Sequence, residues 1–134
     1  MSGIRWIHLL FLLLGVDYTH QLDKVYLYSR PGDTVSLPSN HVLLDDPGCV
    51  STTYAQMGKD SSSYVTVVDR GSIQTSELSS SRADRLSLES NCSLTVKDVT
   101  AEDAGTYVCQ QWKKDQKYGV DKQVDLFVLS ITNE

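Results

Sequence analysis

The residues best placed to do chemistry in this chain are three cysteines and a short cluster of alternating side chains near its C-terminal end. In that cluster Asp103, Gly105, Tyr107 and Cys109 fall at alternate positions, so their side chains share one face if the segment is extended. The carboxylate can form an ion pair, the phenol needs a hydrogen-bond partner if it is buried, and the thiol can form a disulfide. Three cysteines allow three single disulfides, each of which leaves one thiol.

The sequence contains no recognisable catalytic or metal-binding motif. His8, His20 and His41 do not stand at metal-ligand spacing to a cysteine or a carboxylate, and Asp45-Asp46 lacks a calcium-loop pattern. No Gly-x-Ser-x-Gly elbow and no glycine-rich phosphate loop occurs. The formal net charge of −5 argues against a nucleic-acid partner. We therefore predict neither an enzyme nor a cofactor.

The beginning of the chain has the pattern of a secretory signal. The apolar run from Trp6 to Val16 follows Arg5 and is short for a membrane span. We predict a signal peptide over residues 1–20, cleaved between Gly15 and Leu22; the alternative is an uncleaved amphipathic or anchor segment. No second apolar run of membrane length follows. The product is therefore either secreted or a piece of a receptor on the extracellular face of the plasma membrane.

After this leader, short alternating runs between turn residues predict an all-β fold. One helical turn is expected at Thr100–Asp103, an irregular or weakly paired segment at Arg70–Arg82 and an exposed loop at Lys113–Gly119. The predicted strands are Lys24–Ser29, Thr34–Ser39, Cys49–Met57, Tyr64–Asp69, Arg85–Glu89, Cys92–Lys97, Thr106–Trp112 and Asp121–Ile131.

Several of these segments together resemble a V-set domain of the immunoglobulin superfamily. The resemblance implies a two-sheet V-type β-sandwich with Greek-key connections, here over residues 21–132. It is carried by Gly32-x-x-Val35-x-Leu37-x-Ser39, Tyr54, Arg85-Leu86-Ser87-Leu88, Ser93-Leu94-Thr95-Val96 and Asp103-x-Gly105-x-Tyr107-x-Cys109. Cys49 and the segment Asn91-Cys92-Ser93-Leu94 look most like the V-type domains of fish leukocyte receptors, which carry a second cysteine pair.

The resemblance assigns scaffold roles to the alternating cluster. It implies an ion pair between Asp103 and Arg85, with Arg82 as the second choice, because the arginine fork can hold a carboxylate with two hydrogen bonds. Gly105 is expected to permit a tight turn. The hydroxyl of Tyr107 is expected to bond to the backbone a few residues upstream, as in a tyrosine corner.

Two core positions depart from the family pattern. Ser39 stands where the first bridging cysteine is expected, and Tyr54 stands where a tryptophan is expected. The resemblance then implies a Cys49–Cys92 disulfide, with Cys109 left as a buried thiol opposite Ser39. The Ser39 hydroxyl is expected to find a local backbone acceptor. Pairing of Cys109 between chains is the alternative, and its expected burial argues against it.

Three surface features are candidates for modification or contact. Asn91-Cys92-Ser93 is a glycosylation sequon, although disulfide formation at Cys92 could block the transfer. In V-set domains the contact surfaces are loops at one end and the face of the sheet with the signature strand. The last loop at that end is expected at Trp112–Val120. Its candidates for contact with a partner are Trp112, Lys113, Lys114, Lys117 and Tyr118. Trp112 can instead fold back over the sheet as packing.

The last predicted strand is apolar on both faces. Val124, Leu126 and Val128 alternate there with Phe127, Leu129 and Ile131, so one set can join the core. The other set can pack under the first strand or form a contact with another domain, including a homo- or heterodimer through the sheet face.

These features favour an extracellular recognition module that binds a protein partner, in an immune receptor or in adhesion. The alternative is a freestanding secreted or truncated product, such as a soluble decoy. A rearranged antigen receptor is disfavoured, because Tyr118-Gly119-Val120 only partly matches the Phe-Gly-x-Gly turn of those chains.

Overall fold

The computed structural model describes residues 23–39, 46–57 and 63–129 of the 134-residue chain. The signal peptide predicted over residues 1–20, its cleavage region and the last residues of the predicted domain lie outside these ranges. The described residues form two β-sheets, as the resemblance implied.

The larger sheet has seven strands. They are β1 (Asp23–Ser29), β3 (Thr52–Met57), β4 (Tyr64–Asp69), β5 (Ser72–Ile73), β8 (Gly105–Lys113), β9 (Gln116–Lys117) and β10 (Lys122–Val128). Their order is β1-β10-β8-β3-β4-β5, and β9 pairs with β8 off this path. The first and last strands, β1 and β10, are parallel, and the other pairs are antiparallel.

The smaller sheet has three antiparallel strands in the order β2-β7-β6. They are β2 (Val35–Leu37), β6 (Leu86–Leu88) and β7 (Leu94–Val96). As the alternation predicted, Leu94 and Val96 point inward and are fully buried. Together with Leu37 they pack against the larger sheet, which contributes Tyr54, Val67, Tyr107, Cys109, Val124 and Leu126 to the same core.

Both disulfide cysteines lie in turns, which corrects the prediction that Cys49 and Cys92 begin strands. Their φ angles are 57° and 68°, in the left-handed region that does not continue a strand ladder. Cys49 ends a 3₁₀ turn at Pro47–Cys49. The buried Asp46 holds this turn, because its carboxylate accepts hydrogen bonds from the Ser51 N–H and the Thr52 hydroxyl, each at 3.0 Å.

The segment predicted to be irregular or weakly paired, 70–82, is paired over two residues only and ends in a helical turn that the sequence did not predict. It includes β5 and the start of a helical turn at Ser80–Ala83, where the backbone N–H of Arg82 donates to the Ser79 hydroxyl. The helical turn predicted near Thr100 is present as a 3₁₀ turn at Ala101–Asp103. These short turns place Arg82 and Asp103 at the same end of the sandwich.

Candidate functional site

The end of the sandwich that carries Asp103 is held by a buried ionic cluster. The carboxylate of Asp103 is fully buried and accepts from two arginines. Arg85 donates to it at 2.6 and 3.3 Å, and Arg82 donates through Nε at 3.2 Å. The hydrogen bond to this carboxylate raises the pKa of Arg85 above its ordinary value. The two arginines that the sequence offered as first and second choice therefore hold the same carboxylate together.

Tyr107 extends this cluster into the core. Its hydroxyl donates to the backbone carbonyl of Asp103, four residues upstream, and accepts from Nη2 of Arg82 at 2.9 Å. Burial raises the pKa of Tyr107 to about 12. Gly105 has a φ of 136°, and a Cβ there would lie 3.3 Å from the amide nitrogen of Gln56. This arrangement stabilises the fold and offers no open surface to a ligand.

The opposite end carries the disulfide. Cys49 and Cys92 are bonded, with their Cα atoms 5.5 Å apart, which lies within the range that an unstrained disulfide needs. Cys109 is a buried thiol outside this bridge and is the cross-strand partner of Tyr54. Burial, together with the neighbouring Cys109, raises the pKa of Tyr54 far above its ordinary value.

Ser39 does not bond locally, which corrects the expectation for its hydroxyl. The hydroxyl donates at 3.0 Å to the carbonyl of Asn91, 52 residues further along the chain. The acceptor lies in the turn before β7, and this strand pairs directly with β2. The pairing register of β2 and β7 therefore brings the Ser39 hydroxyl to the Asn91 carbonyl. Asn91 itself is exposed, and its side-chain oxygen accepts from the Ser93 N–H at 3.0 Å.

The segment predicted to be an exposed loop, 113–119, is mostly a β-hairpin. Lys113 pairs with Gln116, and the two residues between them, Lys114 and Asp115, have φ angles of 51° and 65°. Positive φ at both central residues suits the right-handed twist of a two-residue hairpin. Lys-Asp lacks the Asn-Gly signal by which such turns are usually recognised, so the hairpin was not predicted from the sequence.

Trp112 lies at the base of this hairpin and is half-buried. The sequence analysis offered either an exposed contact residue or a ring packed on the sheet, and the observed side chain is intermediate between the two. The guanidinium of Arg70 sits 5.7 Å from its ring centroid. The same arginine donates to Asp115 at 2.9 Å, so the turn after β4 is tied to the hairpin. On the other side, Lys113 lies 5.5 Å from the ring centroid of Tyr118. We call Arg70, Trp112, Lys113, Asp115 and Tyr118 the hairpin cluster.

The remaining lysine candidates extend outward from the hairpin cluster. Lys114 and Lys117 are exposed. Lys117 forms an ion pair at 3.2 Å with Asp121, at the start of the last strand. The sequence analysis did not identify Arg70, Asp115 and Asp121 as members of this surface. Arg70 and Asp115 are 45 residues apart in the chain, and Asp121 is 4 residues from Lys117, and no motif links either pair.

A second exposed feature lies along the β1–β10 edge of the larger sheet. Val124 and Leu126 are the core set of β10, whereas Phe127 points outward and is 41% exposed. The ring of Tyr28 stacks on Phe127 at 5.0 Å, and Tyr26 stacks on it at 6.5 Å. We call these three residues the aromatic strip. The outward-facing Phe127 of β10 therefore packs against the first strand, which was one of the two predicted alternatives.

Between these features, the outer face of the larger sheet is concave. A recess of about 440 Å³ lies across β3, β8 and β10. Its lining residues are Ala55, Met57, Tyr64, Val108, Gln110, Asp121 and Gln123. The Lys117–Asp121 ion pair connects this recess to β9 of the hairpin.

A family model for the immunoglobulin V-set domain matches residues 19–129. The chain belongs to the immunoglobulin V-set family. Membership makes this V-set domain a recognition-type module and not an enzyme. No curated protein sequence matches it. In the described part of the V-set domain, no helix is long and apolar enough to cross a bilayer.

Solved structures share the fold of this V-set domain. The N-terminal four Ig domains of Dscam1 isoform 9.44 superpose with a TM-score of 0.57 at 18% identity, over 82% of this chain and 23% of that one. The first Ig domain of the mouse polymeric immunoglobulin receptor gives a TM-score of 0.55 at 18% identity, over 81% of this chain and 93% of that domain. The chain thus spans less than a quarter of the Dscam1 fragment and nearly all of the single receptor domain.

Proposed function

We propose that this V-set domain is an extracellular recognition module, of the receptor or adhesion type, that binds a protein partner through the hairpin cluster. The observation that carries the proposal is the double engagement of Arg70, which covers the Trp112 ring and also bonds to Asp115. This contact holds an aromatic ring and a charged hairpin in one arrangement before a partner arrives, which lowers the entropic cost of binding.

The composition of the hairpin cluster also supports protein recognition. Tryptophan, tyrosine and arginine are the residues enriched at the energetic centres of protein interfaces. Here one of each lies within a single surface, and Tyr118 is 39% exposed. The exposed lysines Lys114 and Lys117 flank it, so an acidic rim on the partner is favoured.

The aromatic strip offers a separate contact, to another domain or to a second copy through the edge of the sheet. Tyr26 and Tyr28 are 56% and 65% exposed, and β1 is the outermost strand of the larger sheet. An exposed row of aromatic side chains beside an open strand edge is a surface that proteins usually cover.

A binding screen of the secreted chain against cell-surface proteins tests the proposal. Trp112→Ala and Tyr118→Ala are expected to weaken binding of a captured partner by about tenfold or more, as hot-spot truncation does. Tyr28→Ala is the control, because it removes an aromatic ring that is more exposed than Tyr118, 65% against 39%, and that belongs to the aromatic strip. Unchanged binding by both hairpin variants would refute the hairpin cluster as the binding site. Loss with Tyr28→Ala alone would move the site to the aromatic strip.

A further inference from the structure

The two edges of the larger sheet are built differently. At one edge β5 has only two residues, and a very short edge strand is one of the ways in which proteins avoid unwanted pairing. At the other edge β1 has seven residues, contains no proline and runs beside β10 without a shift in register. Among the described residues β1 pairs with β10 alone. The β1 edge is therefore long, regular and able to accept another strand.

The backbone groups along this edge belong to three residues. The carbonyl of Ser29 accepts from the N–H of Leu129 at 2.7 Å, so the polar backbone groups of Ser29 point toward β10. Because this direction alternates along a strand, the backbone groups of Lys24, Tyr26 and Tyr28 point away from β10. The side chains of the same three residues share the outer face of the sheet and are exposed. The strand edge and the aromatic strip thus form one continuous surface.

This surface can pair with a second copy of itself in one antiparallel register. Tyr26 then lies opposite the same residue of the second copy, and Lys24 lies opposite Tyr28. All three outward-facing residues of each copy pair, which gives about six backbone hydrogen bonds. A shift by two residues in one direction sets Lys24 opposite Arg30, whose N–H and C=O are already bonded to Asp33. A shift in the other direction sets Tyr28 opposite position 22, which precedes β1.

The side chains agree with the same register. The ring of Tyr28 stacks on Phe127 at 5.0 Å, and Lys24 of the second copy would lie beside this ring. A cation beside an aromatic ring and a cross-strand pair of this kind are both stabilising. Lysine often blocks an open edge, but the single lysine of this row stands at its end, so no two lysines face each other. The surface is therefore self-complementary, as a two-fold contact between identical chains requires.

We propose that two copies of this chain pair along β1 in antiparallel orientation, about a two-fold axis at Tyr26, and join their larger sheets into one. The inference goes beyond the proposed function, because it commits the aromatic strip to one occupant and leaves the hairpin cluster free for a different partner. The contact is narrow, so we expect a dissociation constant on the order of 10 micromolar.

Charge exchange at Tyr26 tests the register, because a residue on a two-fold axis faces its own copy. Tyr26→Lys and Tyr26→Glu are each expected to weaken dimerisation by about tenfold in sedimentation equilibrium, since repulsion adds to the loss of the ring contact. An equimolar mixture of the two variants places opposite charges together and should regain most of the lost affinity. Tyr64→Lys is the matched control, because Tyr64 is 58% exposed against 56% for Tyr26 and lies on β4.

Hydrogen exchange tests the backbone pairing separately. The amides of Lys24, Tyr26 and Tyr28 are expected to exchange about fivefold more slowly at a concentration well above the dissociation constant than well below it. The amides of Val25 and Leu27 point toward β10 and should exchange at the same rate at both concentrations. Slow exchange of the three outward amides at every concentration, in a monomeric chain, would assign the edge to the chain's own residues and overturn the inference.

The remaining outcomes separate the dimer from the proposed function. A wild-type chain that stays monomeric at millimolar concentration, or a mixture of the two charge variants that associates no better than each alone, overturns the dimer. Circular dichroism and thermal unfolding verify that both variants are folded. Trp112→Ala should leave dimerisation unchanged, and Tyr26→Lys should leave binding of a captured partner unchanged. Loss of the dimer in Trp112→Ala would move the self-contact to the hairpin cluster and also overturn the inference.

Discussion

The hydroxyl of Tyr54 donates a 2.7 Å hydrogen bond to the backbone carbonyl of Cys92. Tyr54 is fully buried in β3 of the larger sheet, and Cys92 is a disulfide cysteine in the turn before β7 of the smaller sheet. The residue that replaces the expected core tryptophan is thus bonded to the residue that carries the disulfide. One departure from the family pattern is thus linked to the disulfide by a contact between the layers.

Tyr54→Phe is expected to lower the free energy of unfolding by about 1–3 kcal/mol, because it leaves the buried Cys92 carbonyl without this donor. Urea denaturation at pH 7 measures the loss. Tyr64→Phe is the matched control; its side chain is 58% exposed, so a change within about 0.5 kcal/mol is expected. A Tyr54→Phe variant as stable as the wild-type chain would show that the hydrogen bond contributes no net stability.

The disulfide is expected to supply a large part of the stability. The bonded cysteines are 43 residues apart, for which the chain-entropy model gives about 4 kcal/mol. The double variant Cys49→Ser, Cys92→Ser should therefore unfold at much lower denaturant than the wild-type chain. Cys109→Ala is the control that keeps the bridge. A double variant as stable as this control would contradict the prediction.

The thiol of Cys109 is expected to react only after unfolding. It is fully buried, whereas the other two cysteines are consumed by the disulfide. A thiol reagent should detect less than a tenth of an equivalent in the native chain and about one equivalent in denaturant, since reactivity requires an accessible thiolate. Rapid reaction of the native chain would refute burial of this side chain.

Asp103→Asn is expected to destabilise the domain by about 3–5 kcal/mol, because Arg82 and Arg85 would then lack the carboxylate that both contact. Glu102→Gln is the neighbouring control. Its carboxylate also pairs with Arg85 but is 49% exposed, so a loss below about 1 kcal/mol is expected. Thermal unfolding of the two variants gives the comparison. Similar losses for both would contradict a special role for the buried carboxylate.

Stability is expected to fall between pH 10 and about 12. The unfolded pKa of a tyrosine is about 10, and burial raises that of Tyr107 to about 12 in the folded domain. The folded state then holds its proton more tightly, so this contribution is complete below pH 10 and is lost as the pH rises toward the folded pKa. Denaturation at successive pH values measures the fall. Tyr107→Phe should reduce its slope by about half, because buried Tyr54, whose pKa is raised further, also keeps its proton in the folded state over this range. An equally steep fall in that variant would assign the effect to other groups.

Glycosylation of Asn91 is expected to compete with formation of the disulfide, because the middle residue of the sequon is Cys92 and Asn91 is exposed. In mammalian expression, Cys49→Ser should raise the fraction of glycosylated chain above that of the wild type, since Cys92 then lacks its partner. Endoglycosidase treatment and gel mobility measure this fraction, with Asn91→Gln as the unglycosylated reference. Equal occupancy in both chains would show that the two reactions do not compete.

The amino-acid sequence by itself determined the all-β class and the inward-facing strand residues, whereas the expected pairings at the two ends of the sandwich came from the family resemblance. Alternation marks a buried strand locally, so Leu94 and Val96 could be placed in the core without the fold. The hydrogen bond from the Tyr107 hydroxyl to the Asp103 carbonyl spans only four residues, so it too depends on local sequence. Arg85 was a reasonable partner for Asp103 because the family pattern supplied the distant half of that contact.

The tertiary structure alone decided where distant segments meet. Arg82 joins Arg85 on one carboxylate, Ser39 bonds to the turn of Asn91, and Arg70 reaches Asp115. These contacts form because the packing of the strands brings together the turns that flank them. The left-handed turns at Cys49 and Cys92 were hidden for a related reason. Their backbone is set by the disulfide and by the packing around it, and local propensity gives no sign of either.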